Sequence, residues 1–165
     1  MTDLPNRRGL AEKLDYEKIR FDRSKSPFTI VIGDIDHFKN INDNFGHDAG
    51  DYILTNIAKM LKNNSRKQDI VSRWGGEEFI ILLPETDLGN GAILAEKLRD
   101  KIEKEVFVYD GNEIPVTLSF GLSVYNKKGL KMDDVIKQVD ECLYEAKNSG
   151  RNKVVFIKNP PAKKT

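Results

Sequence analysis

The sequence has a single cysteine, Cys142, and no continuous apolar run long enough to cross a membrane. One cysteine cannot form an internal disulfide, which fits a reducing compartment, and its place in a helical pattern favours a structural thiol over a reactive one. The longest apolar runs, such as 79–83, are far shorter than the roughly 18 residues that a spanning helix needs. The N-terminus also lacks an apolar signal region. We therefore expect a cytoplasmic domain with no membrane contact in this segment.

Net charge is nearly absent as well, because 27 Lys and Arg residues are balanced by 26 Asp and Glu residues, which leaves +1. So small a charge argues against a protein that holds nucleic acid by neutralising its phosphates. No nucleic-acid partner is expected, and any phosphate binding must be local. Hydrophobic residues make up 39% of the 165 residues, enough for one folded domain without disulfide support.

Helical periodicity alternates with β-branched apolar runs along the chain. The patterns predict a helix over 6–24, a buried strand over 28–33, two helices over 38–62 that break near Gly46, strands over 70–74 and 77–83, a helix over 88–105, a small ribbon over 106–116, a strand over 117–125, a helix over 132–148 and a short strand over 153–157. One hairpin among helix-connected strands predicts an α/β fold of the α+β sandwich type, a mixed sheet of about five strands with surrounding helices. A single domain is expected over 1–158, with a frayed C-terminal tail over 159–165.

Two carboxylates, Asp34 and Asp36, stand where the first buried strand is expected to end. A carboxylate is costly to bury there unless a cation accompanies it, and this end of a strand is where α/β sheets commonly bind ligands. Magnesium is a natural partner, since it uses one or two carboxylates and leaves other positions to substrate phosphates. The alternative, equally supported by this segment, is that both aspartates cap the helix beginning at Phe38.

A second candidate site lies between the two hairpin strands, where Gly75 and Gly76 are followed at once by Glu77 and Glu78. Glycine at both positions of a two-residue turn supplies positive φ angles and leaves no side chain to obstruct a ligand above the turn. Alternation along a strand predicts that the two glutamates point to opposite sides, so that one faces the Asp34 site more directly. A hairpin without a function needs no such acidic pair.

Residues 73–79, Arg-Trp-Gly-Gly-Glu-Glu-Phe, resemble the signature of the GGDEF family of diguanylate cyclases in its GGEEF form. The similarity covers roughly residues 2–157 and includes further motifs at matching spacing. These are the segment 2–8, although the residues that usually precede it are absent, the segment 34–39, then Asn42, Gly46, His47, Gly50 and Asp51, the segment 119–121, and Ala146 and Lys147 with 150–152. Together these motifs are far more specific than any one alone.

The resemblance implies a fold similar to the palm of nucleotide cyclases and polymerases, and an enzyme that condenses two GTP molecules into cyclic di-GMP with release of pyrophosphate. Because one site supplies one GTP and the product is symmetric, a homodimer is expected for catalysis. The abrupt start at Met1 indicates a segment of a longer protein. We expect that protein to carry a regulatory domain, and a membrane anchor elsewhere in it would be compatible with this sequence. A polymerase-like enzyme acting on nucleic acid is disfavoured by the chain length and balanced charge.

Carried over residue by residue, the resemblance implies three groups of active-site residues. The ligands of Mg²⁺, or alternatively Mn²⁺, would be Asp34, the carbonyl of Ile35, Glu77 and Glu78. Glu77, on the turn formed by Gly75 and Gly76, would also be the general base. The substrate would be bound by Asn42 and Asp51 at the guanine edge with His47 close by, by backbone N–H groups around Phe38 and Lys39, and by Lys147 and Arg151 at the phosphates. By themselves, Lys147 and Arg151 would be read as cations complementing a helix dipole.

Arg66 and Asp69 resemble the family's inhibitory product site, an Arg-x-x-Asp motif that binds cyclic di-GMP. In an arbitrary sequence such a pair would be a surface ion pair. Lys97 stands where inhibited members often carry a second arginine, and lysine lacks the bidentate fork, so weaker product inhibition is expected. The alternative function is a catalytically idle sensor that binds cyclic di-GMP, for which a degraded hairpin signature would be expected.

Overall fold

The computed structural model describes residues 4–157. Predictions for residues 1–3 and for the tail over 159–165 lie outside the described residues. The elements are α1 (Arg7–Ser24), β1 (Phe28–Ile35), α2 (Phe38–Phe45), α3 (His47–Asn63), β2 (Ile70–Arg73), β3 (Glu78–Leu83), α4 (Leu88–Lys104), β4 (Phe107–Tyr109), β5 (Asn112–Ile114), β6 (Leu118–Tyr125), α5 (Met132–Asn148) and β7 (Val154–Phe156).

Five strands form one mixed sheet in the order β2-β3-β1-β6-β7, and β4 pairs with β5 in a separate ribbon. Strand β1 pairs antiparallel with both β3 and β6, whereas β7 lies parallel to β6. The predicted mixed sheet with surrounding helices is confirmed. Because it is central, β1 is buried along all eight of its residues, as is β6.

Helices cover both faces of the sheet and divide the core into two apolar clusters. Val31 belongs to the cluster that includes Ile57 of α3 and Leu98 of α4, whereas Ile30 and Ile32 belong to the cluster formed with α1 and α5. This division follows the alternation of side chains along a strand. A continuous apolar run such as that of β1 is therefore the pattern expected of a strand covered on both faces.

Helix α5 packs closely against β6 at Gly121. A β-carbon at Gly121 would overlap the carbonyl oxygen of Val139 and the amide nitrogen of Leu143. Glycine is required because the backbones themselves are in contact. This packing brings the C-terminal end of α5, which carries Lys147, to the end of β1.

Cys142 lies buried on α5, where burial raises the pKa of its thiol. A buried thiol with a raised pKa has little thiolate, so the position fits the structural role expected from sequence. Across residues 4–157, no helix combines the length and apolar character needed to span a membrane.

Candidate active site

Strand β1 continues to Ile35, two residues beyond the predicted end, and so carries Asp34 inside the sheet. Asp34 lies opposite Glu78 on β3 and opposite Ser119 on β6. The sequence prediction ended the strand at Gly33 because the continuous apolar run stops there. The strand continues because its backbone still pairs with both neighbours and because a cation meets the carboxylate.

That cation is the side chain of Lys147. Its Nζ lies 2.7 Å from Asp34 Oδ1, 3.0 Å from Asp36 Oδ1 and 3.3 Å from the carbonyl oxygen of Ile35. The ammonium therefore contacts the aspartate and the carbonyl oxygen that the resemblance assigns to a metal. Neither of the two roles considered for Lys147, binding a phosphate or complementing the helix dipole, predicts these contacts. Carboxylate and carbonyl oxygens are also the kind of ligand that hard divalent cations take.

Within residues 4–157, no three side chains of the His, Cys, Asp and Glu types are arranged so that they could hold a metal ion together. The predicted ligands Asp34, Glu77 and Glu78 are neighbours, yet they do not converge on one point. Asp34 is turned toward Lys147, which gives the physical reason for the difference.

Asp36 does not cap helix α2, and the capping alternative is wrong for both aspartates. The N-cap residue is His37, in the left-handed conformation, and no side chain accepts a hydrogen bond from the first turn. Asp36 instead accepts hydrogen bonds from Thr117 Oγ1 at 2.8 Å and Ser119 Oγ at 2.7 Å. These donors lie at the start of the neighbouring strand β6, and Asp36 binds them instead of the N–H groups at the start of α2. The first-turn N–H groups of α2 consequently have no side-chain acceptor.

The hairpin loop spans four residues, 74–77, instead of the two predicted. The amides of Trp74 and Gly75 both donate to the carbonyl of Glu78, at 2.7 and 3.2 Å. Neither Gly75 nor Gly76 has a positive φ angle. The prediction of positive φ is wrong because it rested on a two-residue turn, which the longer loop replaces.

The second reason given for the glycines, a turn free of side chains, agrees with the structure. A β-carbon at Gly76 would meet no atom within 4 Å. Arg73, which the sequence analysis left without a role, donates from Nε to the carbonyl oxygens of Gly75 and Gly76, each at 3.2 Å. The arginine within the signature thus holds the loop by its carbonyl groups.

Glu77 and Glu78 both lie close enough to Asp34 for its charge to act on them. Burial raises the pKa of Glu77, and Asp34 raises it further, while Lys147 partly offsets the effect. Burial is also the main cause of the raised pKa of Glu78, followed by the charge of Asp34. Glu77 lies just before β3, and its carbonyl oxygen accepts a hydrogen bond from the backbone amide of Ile35 at 3.3 Å. The division of the two glutamates between opposite sides stays a prediction.

The residues expected at the guanine edge meet where α2 gives way to α3. Asn42 packs over the first turn of α3, where any side chain at Gly50 would overlap its amide group. His47 and Asp51 are exposed on the first turns of α3. Asn42 and Asp51 thus lie on adjoining helices, and their role at the guanine edge stays a prediction.

The remaining substrate-binding positions surround the same end of the sheet. Phe38 is buried in the core and Lys39 is exposed, so only the backbone of Phe38 can face a ligand. Arg151 is exposed in the turn between α5 and β7, with a φ angle of 62°.

Arg66, Asp69 and Lys97 lie apart from these residues and line one cavity of about 340 Å³. Arg66 Nη2 lies 2.9 Å from Asp69 Oδ1 and 3.0 Å from the carbonyl oxygen of Pro84. The Asp69 side chain is completely covered, whereas that of Arg66 is 47% exposed. The ion pair therefore exists, and it presents a guanidinium to the cavity.

The comparison with known families gives the same identification as the motifs. The family described as "Diguanylate cyclase, GGDEF domain" matches residues 1–153. The chain belongs to this family. Among curated relatives, Diguanylate cyclase A of Treponema denticola is 42% identical over 135 residues, which are 82% of this chain and 36% of that protein. The chain thus spans little more than a third of that relative.

Two solved structures show the same likeness in three dimensions. The active GGEEF domain of a diguanylate cyclase from Vibrio cholerae is 33% identical, with a TM-score of 0.88 over 96% of this chain and all of that one. The GGDEF domain of DgcB from Caulobacter crescentus, in complex with c-di-GMP, is 27% identical, with a TM-score of 0.89 over 94% of this chain and 92% of that one. The predicted palm-like fold is confirmed.

The raised pKa of Glu78 predicts a pH-dependent gain in stability for Glu78→Gln. Above the raised pKa, Glu78 is ionised beside Asp34 and opposes folding, and glutamine removes this charge. Below pH 4, glutamate is protonated in both the folded and the unfolded state, so the difference disappears. We expect the melting temperature of Glu78→Gln to exceed that of the wild type by about 2 °C at pH 8 and to equal it near pH 4.

The matched control is Glu113→Gln, which removes the same charge from an exposed position on β5. Its melting temperature should follow the wild type at both pH values, as measured by circular dichroism. A Glu78→Gln variant that is less stable than the wild type at pH 8 would contradict the charge repulsion inferred here.

Proposed function

We propose that the domain condenses two GTP molecules into cyclic di-GMP and releases pyrophosphate. The observation that carries the proposal is the set of three carboxylates, Asp34, Glu77 and Glu78, at the open end of the sheet beside a single ammonium. Once Asp34 turns away from Lys147, such a set would be suited to hold cations against a triphosphate. Membership of the GGDEF family and the intact hairpin signature support the same reaction.

Mg²⁺ is the proposed cofactor, with Mn²⁺ as the alternative ion. Asp34, the Ile35 carbonyl and Glu77 would hold it, and Glu78 would contribute to a second ion. The oxygen donors already gathered around Lys147 fit this use. When bound, the metal would neutralise charge that develops on the phosphates during transfer.

Glu77 is the proposed general base, presented by the loop that Gly75 and Gly76 form. It would accept the proton of the attacking 3′ hydroxyl. The raised pKa of Glu77, caused first by burial and then by Asp34, makes the carboxylate a stronger base than an exposed glutamate. A base is most effective when its pKa approaches the working pH.

The guanine edge would be read from the corner between α2 and α3. Asp51 supplies acceptor oxygens for the N1 and N2 donors of guanine, which adenine lacks, and Asn42 and His47 lie beside it. The phosphates would meet the uncapped N–H groups around Phe38 and Lys39 at the start of α2. Lys147 and Arg151 would meet them from the end of α5.

Catalysis is proposed to need two domains. Each contributes one GTP, and the product contains two phosphodiester bonds related by symmetry, so each 3′ hydroxyl must face the α-phosphate bound by the partner. The regulatory domain expected elsewhere in the full-length protein would control this pairing.

The cavity at Arg66 is the proposed site of product inhibition. The Nε and Nη2 atoms of Arg66 already donate to Asp69, Pro84 and Thr86, so Nη1 would be the donor offered to a phosphate or a guanine edge. Lys97 adds a second positive charge across the cavity. Since the Asp69 carboxylate is fully covered, its role would be to orient Arg66. A lysine at position 97 would make the inhibition weaker than a second arginine would.

The first test is product analysis by chromatography after incubation of the protein with GTP and Mg²⁺. We expect cyclic di-GMP and pyrophosphate from the wild type and from Glu113→Gln. Glu77→Gln should lose at least about a hundredfold in rate, because the proposed base is gone while the shape of the side chain is kept. A Glu77→Gln variant with wild-type turnover would contradict the assignment.

The second test is calorimetric titration of cyclic di-GMP. Binding should weaken by about tenfold or more in Arg66→Ala, through loss of charge-assisted hydrogen bonds, and should persist in Glu77→Gln. Arg23→Ala, which removes an exposed arginine from α1, is the control. Binding that survives Arg66→Ala would reduce the pair to a surface ion pair. A wild type that binds the dinucleotide but never makes it would favour the idle sensor.

A further inference from the structure

Asp36 is a buried carboxylate to which the proposed chemistry gives no role. Its side chain is only 1% exposed. Oδ1 accepts from Ser119 Oγ at 2.7 Å and from Lys147 Nζ at 3.0 Å, and Oδ2 accepts from Thr117 Oγ1 at 2.8 Å and from the Asn152 amide at 3.0 Å. Four donors from three parts of the chain therefore converge on one charge, an arrangement that is costly to build unless it serves to fix them.

The turn after α5 is unusual in its backbone. Residues 150–152 have φ angles of 117°, 62° and 48° in succession, and only the first residue is glycine. Left-handed conformations are unfavourable for residues with a side chain and persist where neighbouring groups hold them. The turn also carries Arg151, one of the two cations proposed to bind phosphate.

Two sets of contacts hold this turn at Asn152. Its amide donates to Asp36 Oδ2 at 3.0 Å and to Ser119 Oγ at 3.1 Å. Its side chain is bound by α4, with Asn152 Nδ2 2.7 Å from Glu103 and Oδ1 2.9 Å from Arg99. Asp36 therefore fixes the residue immediately after Arg151.

We propose that Asp36 is a positioning residue that fixes both phosphate-binding cations, Lys147 through its ammonium and Arg151 through the Asn152 amide. This inference rests on the proposed function. Asp34 contacts the same ammonium, yet Asp34 is also a proposed metal ligand. When Asp34 turns to another cation, Asp36 still offers Lys147 a carboxylate, so the ammonium stays beside the phosphates.

The test compares two ligands that differ only in their phosphates. Asp36→Asn keeps the size of the side chain and removes its charge. We expect its affinity for a non-hydrolysable GTP analogue to fall by about tenfold or more, which corresponds to loss of a charged contact. Its affinity for guanosine, followed by NMR chemical shifts, should stay within about twofold of the wild type, because guanosine has no phosphate to position. Equal losses for both ligands would indicate a merely structural role and overturn the inference.

A second measurement does not depend on nucleotide. Exchange of the Asn152 amide hydrogen, measured by NMR on the free protein, should accelerate by about tenfold in Asp36→Asn, because its carboxylate acceptor is gone. Thr117→Val is the matched control, since it removes one hydroxyl donor to Asp36 and leaves the charge. Its affinity for the GTP analogue should match that of the wild type. Unchanged exchange in Asp36→Asn would overturn the inference.

If Asp36→Asn fails to fold, Ser119→Ala is the variant that tests the inference, because the Ser119 hydroxyl contacts both Asp36 and the backbone amide of Asn152. We then expect the affinity for the GTP analogue to fall several-fold, the backbone amide hydrogen of Asn152 to exchange faster, and the affinity for guanosine to stay unchanged. The absence of these effects would overturn the inference. If the wild type binds no GTP analogue, the proposed function is overturned, and with it the role of Asp36 in positioning cations that bind phosphate. The exchange measurement separates that failure from a failure of Asp36 to hold the turn.

Discussion

The whole site depends on an imbalance of charge at the end of β1. Four carboxylates, those of Asp34, Asp36, Glu77 and Glu78, approach one another there, and among the described residues Lys147 is the cation in direct contact with two of them. Burial and mutual repulsion raise the pKa of both glutamates. One ammonium cannot neutralise so many carboxylates, and this excess of negative charge is the basis of the proposed binding of divalent ions.

The packing of the strands and of α5 holds these carboxylates and Lys147 close together. Strand β1 is central and buried, so its last residues cannot move away, and pairing with β3 sets Glu78 opposite Asp34. The contact of α5 with Gly121 fixes the helix that delivers Lys147. The hairpin loop, held by Arg73, leaves Glu77 beside the strand end. The rigid backbone of β1, the hairpin loop and α5 thus surrounds carboxylates that repel one another. Side chains held in such an unfavourable arrangement are common at functional sites.

The sequence was sufficient to predict the elements, their order and the mixed sheet, because long periodic segments bounded by Gly and Pro leave few alternatives. It also located Asp34, Glu77 and Glu78 at one site. It could not predict that Lys147 meets Asp34, because residues 113 positions apart become neighbours only through the packing of α5. The contacts of Asp36 were missed for the same reason, since its partners come from residues 117 and 119, from α5 and from the turn before β7. The four-residue hairpin loop was missed because Gly-Gly also suits a two-residue turn.

The most direct test of the account is a crystal structure of the protein with Mg²⁺ and a non-hydrolysable GTP analogue. The account predicts a metal ion bound by Asp34 and Glu77, with Lys147 released from Asp34, still in contact with Asp36 and turned to a phosphate. A bound metal and triphosphate with Lys147 unmoved on Asp34, or a metal that avoids both carboxylates, would contradict the claim that this charge imbalance forms the site.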